Sequence, residues 1–189
     1  SDLDWGADVI KVEPPEGDTL RHAGVARHRG MSAMFMNLNR GKRSVALDVA
    51  TPAGLEAMRR LLAGADLFVH NVRREPIRRL GLGPEDVLSV NPSIVYATAS
   101  GYHERSPLAR APAIDDSIQA ATGLAALNAG TDGAPRFVPS VVADKTAALA
   151  LAGAALAALV RRLRTGRGGV LDVPMYDTLA GFVLAEHLQ

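Results

Sequence analysis

Short runs rich in β-branched residues alternate with helix-patterned segments along almost the whole chain, and that alternation leaves few folds open. The runs are Asp8–Glu13, Ser44–Val49, Asp66–Asn71, Ile94–Ser100 and Val170–Val173. Several are apolar at consecutive positions, as strands covered on both faces are. Helices are predicted between and after them, over Pro52–Ala63, Pro84–Val90, Ile114–Ala125, Thr146–Arg164 and Met175–Leu188. Pro52 after Thr51 suits a first helical position. Arg161, Arg162 and Arg164 suit the negative end of the longest helix. Strand–helix alternation of this kind predicts an α/β fold, doubly wound around a mainly parallel sheet.

A length of 189 residues predicts one domain. The first strand starts about one turn from the N-terminus, and the last helical pattern runs into Gln189. The expectation is therefore a fragment, with the domain incomplete at both ends. The Met175–Leu188 pattern carries Tyr176, Leu179, Phe182, Val183 and Leu184 at largely helical spacing, a stripe expected to need a partner surface from segments outside the chain or from a second subunit.

Charge and composition remove several functions. Lys plus Arg is 21 and Asp plus Glu is 20, a net charge of +1, without the basic excess of a general nucleic-acid binder. With no cysteine there is no disulfide, thiolate nucleophile or zinc–thiolate site. Nothing calls for an oxidising compartment, so a cytoplasmic location is expected. Ala147 to Val160 is 14 apolar or Gly residues in a row, short of the roughly 20 a bilayer span needs, and reads as a buried helix. Neither a nucleic-acid nor a membrane partner is expected.

Familiar cofactor motifs fail. Gly81-Leu82-Gly83-Pro84 lacks the third glycine of a dinucleotide fingerprint and follows no strand, which leaves Glu13 as a weak mimic of a ribose-binding acid. His22, His28, His70, His103 and His187 form no metal-ligand spacing. The segment from Asp18 to Met34 is long for a connection and reads as a functional loop.

Three clusters remain. Arg40, Lys42 and Arg43 around Gly41 suit an anionic ligand, or form a solvated basic loop. Arg73, Arg74, Arg78 and Arg79 follow the strand ending at Asn71. They suit a phosphate beyond a strand's carboxyl end, or form a polar helix face. Asp144 follows Val141-Val142-Ala143 and precedes an almost wholly apolar helix. It reads as a helix N-cap, as a partly desolvated carboxylate nucleophile, or as both.

Six blocks in order make the chain resemble a known family. They are GADVIKVEPPEGD from Gly6, NRGKRSVALD from Asn39, ADLFVHN from Ala65, RRLGLG from Arg78, VNPSIVYATASGY from Val90 and RTGRGGVLDV from Arg164. The family is the class III CoA-transferases, which also holds the α-methylacyl-CoA racemases. The resemblance implies a Rossmann-like large CoA-binding domain over 1–189, with the first β-α unit and a small second domain lying outside it. It implies Asp144 as the catalytic residue. It places CoA contacts at Leu47, at Asn71, Val72 and Arg73, at Arg79, and at Ile114 and Asp115. It implies an interlocked homodimer, acyl-CoA and a carboxylic acid acceptor as partners, and no permanently bound cofactor, the coenzyme A thioester being substrate.

The chain departs from the family pattern at Pro14 and Ala50, where basic residues are common, and at Ala113-Ile114-Asp115, where Gly-Tyr-Asp or Gly-His-Asp is usual. Racemases use the His of that triplet to move a proton, and Ile114 has none to give. Transfer of CoA is therefore the leading expectation. Isomerisation within the family and a non-catalytic CoA-binding or dimerisation module are the alternatives.

Overall fold

The computed structural model describes residues 6–187. The fold is α/β, and every named strand pairs in parallel. Where one domain is expected, the chain groups into two compact units, residues 1–61 and 62–189.

In the first unit β1 (Ile10–Glu13) pairs with β2 (Arg43–Ala46), Ile10 facing Arg43 and Glu13 facing Ala46. Both strands are shorter than their sequence runs. The connection between them, where a long functional loop is expected over Asp18–Met34, is partly ordered into regular structure. It contains a 3-10 turn at Thr19–His22 and leads into α1 (Ala33–Leu38). Ser32 caps α1: its buried hydroxyl accepts from the Phe35 N–H at 3.0 Å and donates to the Leu20 carbonyl at 2.5 Å.

Glu13 organises this unit. Its carboxylate is only 3% exposed and accepts from Arg21 Nε and Nη2 at 2.8 and 2.9 Å, Ser44 Oγ at 2.7 Å and the Asp18 N–H at 2.9 Å. The Arg21 guanidinium also lies 4.0 Å above the Phe35 ring. Glu13 is thus filled by internal donors, which corrects its reading as a ribose-binding acid. Then α2 (Pro52–Ala63) starts where Thr51 Oγ1 accepts from the Gly54 N–H at 3.1 Å. Gly54 is required there, since a Cβ would stand 1.9 Å from the Asp48 carbonyl oxygen.

The second unit is built on β3 (Leu67–His70), β4 (Val95–Ser100) and β5 (Gly169–Pro174), in that spatial order. The Arg-rich segment after β3 folds as a short helix, α3 (Arg74–Arg79), before α4 (Pro84–Val90). The helix expected over Ile114–Ala125 is two, α5 (Asp115–Ala121) and α6 (Leu124–Leu127), because Gly123 takes a φ of 82° between them. The long helix, α7 (Val142–Thr165), begins four residues before the expected Thr146. Its last turn is closed by Gly166 at φ 69°. Finally α8 (Met175–Leu184) is shorter than expected, and the predicted end at Leu188 lies outside the described residues.

The strands' two faces differ. Leu67, Ala97, Ala99, Leu171 and Val173 meet Ala150, Leu151 and Ala154 of α7, where small side chains let helix and sheet approach closely. Near the end of α7, Arg162 donates to Asp66 at 2.5 Å and to Ser93 at 3.4 Å, residues that precede β3 and β4. The helix therefore runs antiparallel to the strands, and its N-terminus stands at their carboxyl ends. With 24 residues, α7 is long and apolar enough to cross a membrane by length and composition. The 14-residue count from the sequence underestimates it. Its inner face is nevertheless the cover of the sheet, while Leu149, Leu156, Val160 and Leu163 form an exposed outer stripe.

The stripe on α8 largely finds its partner inside the chain, which corrects the expectation above. Leu179 and Val183 pack with Tyr102, Ile118 and Ala143. Ile118 and Leu179 are wholly buried, each worth roughly 1.5–3 kcal/mol. Phe182 remains 70% exposed.

Candidate active site

The start of α7 is held from outside the helix. Its N-cap is Val141, which supplies no side-chain acceptor. Asp144 is the third helical residue, so the expected N-cap role falls away. The neighbouring Ala143 is fully buried among Tyr102, Ile118 and Leu179. That anchor turns Asp144, the next residue along the helix, outward: its side chain is exposed. The Asp144 N–H, one of the first-turn donors without an intrahelical acceptor, donates to Asp115 Oδ2 at 3.0 Å.

Asp115 is itself fixed. It opens α5, is 7% exposed, and accepts on Oδ1 from Gln119 Nε2 at 2.6 Å. Gln119 is fully buried. Its Nε2 also faces the carbonyls of Ser140 at 3.2 Å and Val138 at 3.4 Å, and its Oε1 accepts from the Val138 N–H at 2.9 Å. The side chain of Gln119 thus ties α5 to the segment that leads into α7. Lys145, beside Asp144, donates from Nζ to Ser140 Oγ at 2.7 Å. Among the described residues no donor reaches the Asp144 carboxylate. Partial burial, then the negative charge of Asp115, raise its pKa above the ordinary carboxylate value. An ionised carboxylate with unoccupied oxygens at the edge of a sheet can act as a nucleophile.

Other sequence-chosen residues share this edge. Asn71, Val72 and Arg73 directly follow β3 and are exposed, and Ile114, the residue before α5, is 67% exposed. Arg79 ends α3, six residues beyond Arg73, the N-cap of that helix, and is exposed. Leu47, half-buried just after β2, belongs to the first unit. The carboxylate of Asp115, also expected at a CoA contact, is buried with both oxygens engaged inside the protein.

The basic clusters also divide. Arg74 pairs with Asp172 and reaches Ser100 Oγ and the Tyr102 carbonyl, each at 3.3 Å. It is a strut that ties the three strands together near their carboxyl ends. Arg43 forms an exposed pair with Asp8 at 2.6 Å, and Lys42 donates to Asn39 at 3.2 Å.

Sequence reasoning missed how His70 shapes the first of these loops. His70 Nδ1 accepts from the Val72 N–H at 3.1 Å, which leaves the ring proton on Nε2. Nε2 then donates to the Tyr96 hydroxyl at 2.6 Å, and Tyr96 donates to the Leu82 carbonyl at 3.2 Å. Burial lowers the His70 pKa to about 4 and raises that of Tyr96 to about 12, so both are neutral near pH 7. With Arg74, Arg78 and Thr98 they line a cleft of about 180 Å³ on the sheet face opposite α7. Gln119 was missed too. Its signal is a Gln four residues after Asp115, one turn along the same helix face.

This arrangement can be set beside known proteins. Residues 3–189 match the model of CoA-transferase family III. The chain belongs to that family. It is 33% identical over 175 residues to the succinyl-CoA–D-citramalate CoA-transferase of Chloroflexus aurantiacus, covering 92% of this chain and 44% of the relative. It is 32% identical over 192 residues to the succinate–glutarate CoA-transferase of Agrobacterium fabrum, covering 98% and 48%. The crystal structure of a CAIB/BAIF family protein from Brucella suis matches with a TM-score of 0.91 and 36% identity, over 97% of this chain and 50% of that one. The chain thus spans about half the length of the family III relatives it matches.

Proposed function

We propose that the protein carrying this chain transfers CoA from an acyl-CoA thioester to a carboxylic acid, with Asp144 as the nucleophile. The observation behind this is the exposed Asp144 carboxylate, engaged by no internal donor, on a helix start held by Asp115. Membership of family III and the CoA-transferase names of the relatives support the reaction class.

The chemistry proceeds by acyl exchange. The Asp144 carboxylate attacks the thioester carbonyl and expels CoA thiolate, leaving a mixed anhydride. The thiolate attacks the aspartyl carbonyl of that anhydride and releases the donor acid as its carboxylate. This leaves an aspartyl-CoA thioester. The acceptor carboxylate then attacks this thioester, forming a second anhydride and freeing the thiolate again. Attack of the thiolate on the acceptor's carbonyl yields the new acyl-CoA and restores Asp144. Each step exchanges one acyl bond for another, so thioester energy is conserved. Asn71, Val72, Arg73, Arg79, Ile114 and Leu47 are the CoA contacts this reading assigns. The exposed stripe on α7 favours a second subunit in the working enzyme.

Ile114 at the first position before α5 supports transfer over racemisation, since it offers no proton. The test is to incubate the intact protein with an acyl-CoA and a free acid and to follow both CoA esters. Transfer that disappears in Asp144→Ala, with CoA affinity kept within a few-fold, supports the reading. Near-normal transfer in that variant overturns it.

A further inference from the structure

We infer that Asp115 and Gln119 are positioning residues for the reaction: Gln119 orients the buried Asp115 carboxylate, which clamps the backbone N–H of Asp144 and fixes where the nucleophile stands. The inference rests on the reading of Asp144 as nucleophile and adds what holds it there. The geometry carries it. A helix start needs acceptors for its first N–H groups, and α7 has none from its own N-cap, Val141. The acceptor comes instead from a residue 29 positions earlier in the chain, at 3.0 Å. That acceptor cannot swing away, because its second oxygen is held by Gln119 at 2.6 Å. Gln119 cannot turn over either: its oxygen takes the Val138 N–H, and its nitrogen faces two carbonyls of the same segment.

The arrangement also has an electrostatic consequence. Asp115 is the charged side chain that acts on the Asp144 carboxyl among the described residues, while the adjacent Lys145 directs its ammonium to Ser140. A negative acceptor beneath the nucleophile makes Asp144 more basic, and for an oxygen nucleophile greater basicity favours attack on an acyl carbon. A neutral acceptor would hold the backbone as well without that effect.

The experiment compares Asp115→Ala, Asp115→Asn and Gln119→Ala in the intact protein, with three readouts. The first is amide exchange at Asp144, which reports the clamp without reference to activity. Asp115→Ala should speed it at least tenfold. The second is steady-state transfer: kcat should fall roughly 100-fold in Asp115→Ala, with KM for acyl-CoA within about threefold. The third is the acid limb of the kcat profile, which should move to lower pH in Asp115→Asn, because the neighbouring negative charge is gone. Gln119→Ala should show smaller changes in the direction of Asp115→Ala. If Asp115→Ala does not fold, the pH shift in Asp115→Asn decides. Full kcat in folded Asp115→Ala, or an unmoved acid limb in Asp115→Asn, overturns the inference. Active Asp144→Ala instead overturns the nucleophile reading, and the exchange result still judges the clamp.

Discussion

Glu13 in the first unit, at a strand's carboxyl end, and Asp144 in the second, at a helix start beside the strands' carboxyl ends, are treated in opposite ways. Glu13, closing β1, is buried and receives four hydrogen bonds, and the Arg21 guanidinium above all pulls its pKa down to about 2. Asp144, in the first turn of α7, is exposed, receives none from the described residues, and is raised in pKa. A carboxylate whose lone pairs are filled cannot attack an acyl carbon and instead holds a fold together. One whose backbone is clamped while its oxygens stay open is shaped for chemistry. The difference lies in the donors around each acid, since both are ordinary acidic side chains.

The strongest way to break this comparison is to neutralise each acid in turn. Asp144→Asn should lower kcat by roughly 1,000-fold or more, because the amide keeps the shape and loses the nucleophile. Its melting temperature should change little. Glu13→Gln should do the reverse in the same assays, lowering thermal stability while any remaining folded enzyme turns over.

Glu13→Ala should cost about 3 kcal/mol of stability, since it leaves Arg21 and Ser44 without their buried partner; denaturant unfolding would measure it. The pH dependence has a definite sign. Glu13 has a lowered pKa in the folded state, so its contribution is complete above the ordinary value of 4.5. It is lost as pH falls from there toward about 2. Glu13→Gln should remove that part of the acid sensitivity. Asp144 has the opposite shift and should add no such acid-labile stability.

A smaller effect sharpens the ligand side. Arg79→Ala should weaken CoA binding roughly tenfold by calorimetry, about 1.4 kcal/mol. Dephospho-CoA should be affected less if the guanidinium meets the ribose phosphate. Smallest of all, Arg43→Ala breaks an ion pair whose side chains are 64% and 75% exposed, and should change stability by less than about 0.5 kcal/mol.

Much of the architecture was legible because it depends on local pattern. Pro52–Ala63 and Pro84–Val90 stand where proline at the first helical position places them. The first four strands were found but overextended, since β-branched residues such as Val9 and Val49 continue beyond the ladder, whereas β5 runs one residue further at each end than the expected Val170–Val173. The start of α7 was misplaced because its capping acceptor, Asp115, comes from 29 residues away. No local signal marks that. Likewise Arg74 looked like its neighbours Arg73 and Arg79. Only the return of the chain to place Asp172 beside it shows that it is a strut. The family resemblance singled out Asp144 as a candidate, but the state of its carboxylate depends on three-dimensional neighbours.

The most direct test is mass spectrometry of the intact protein quenched during turnover with an acyl-CoA. The account predicts a covalent CoA adduct on the peptide that contains Asp144, present with acyl-CoA alone, discharged on addition of an acceptor acid, and lost in Asp144→Asn. Rapid transfer with no adduct on that peptide, or an adduct that persists in Asp144→Asn, would contradict it.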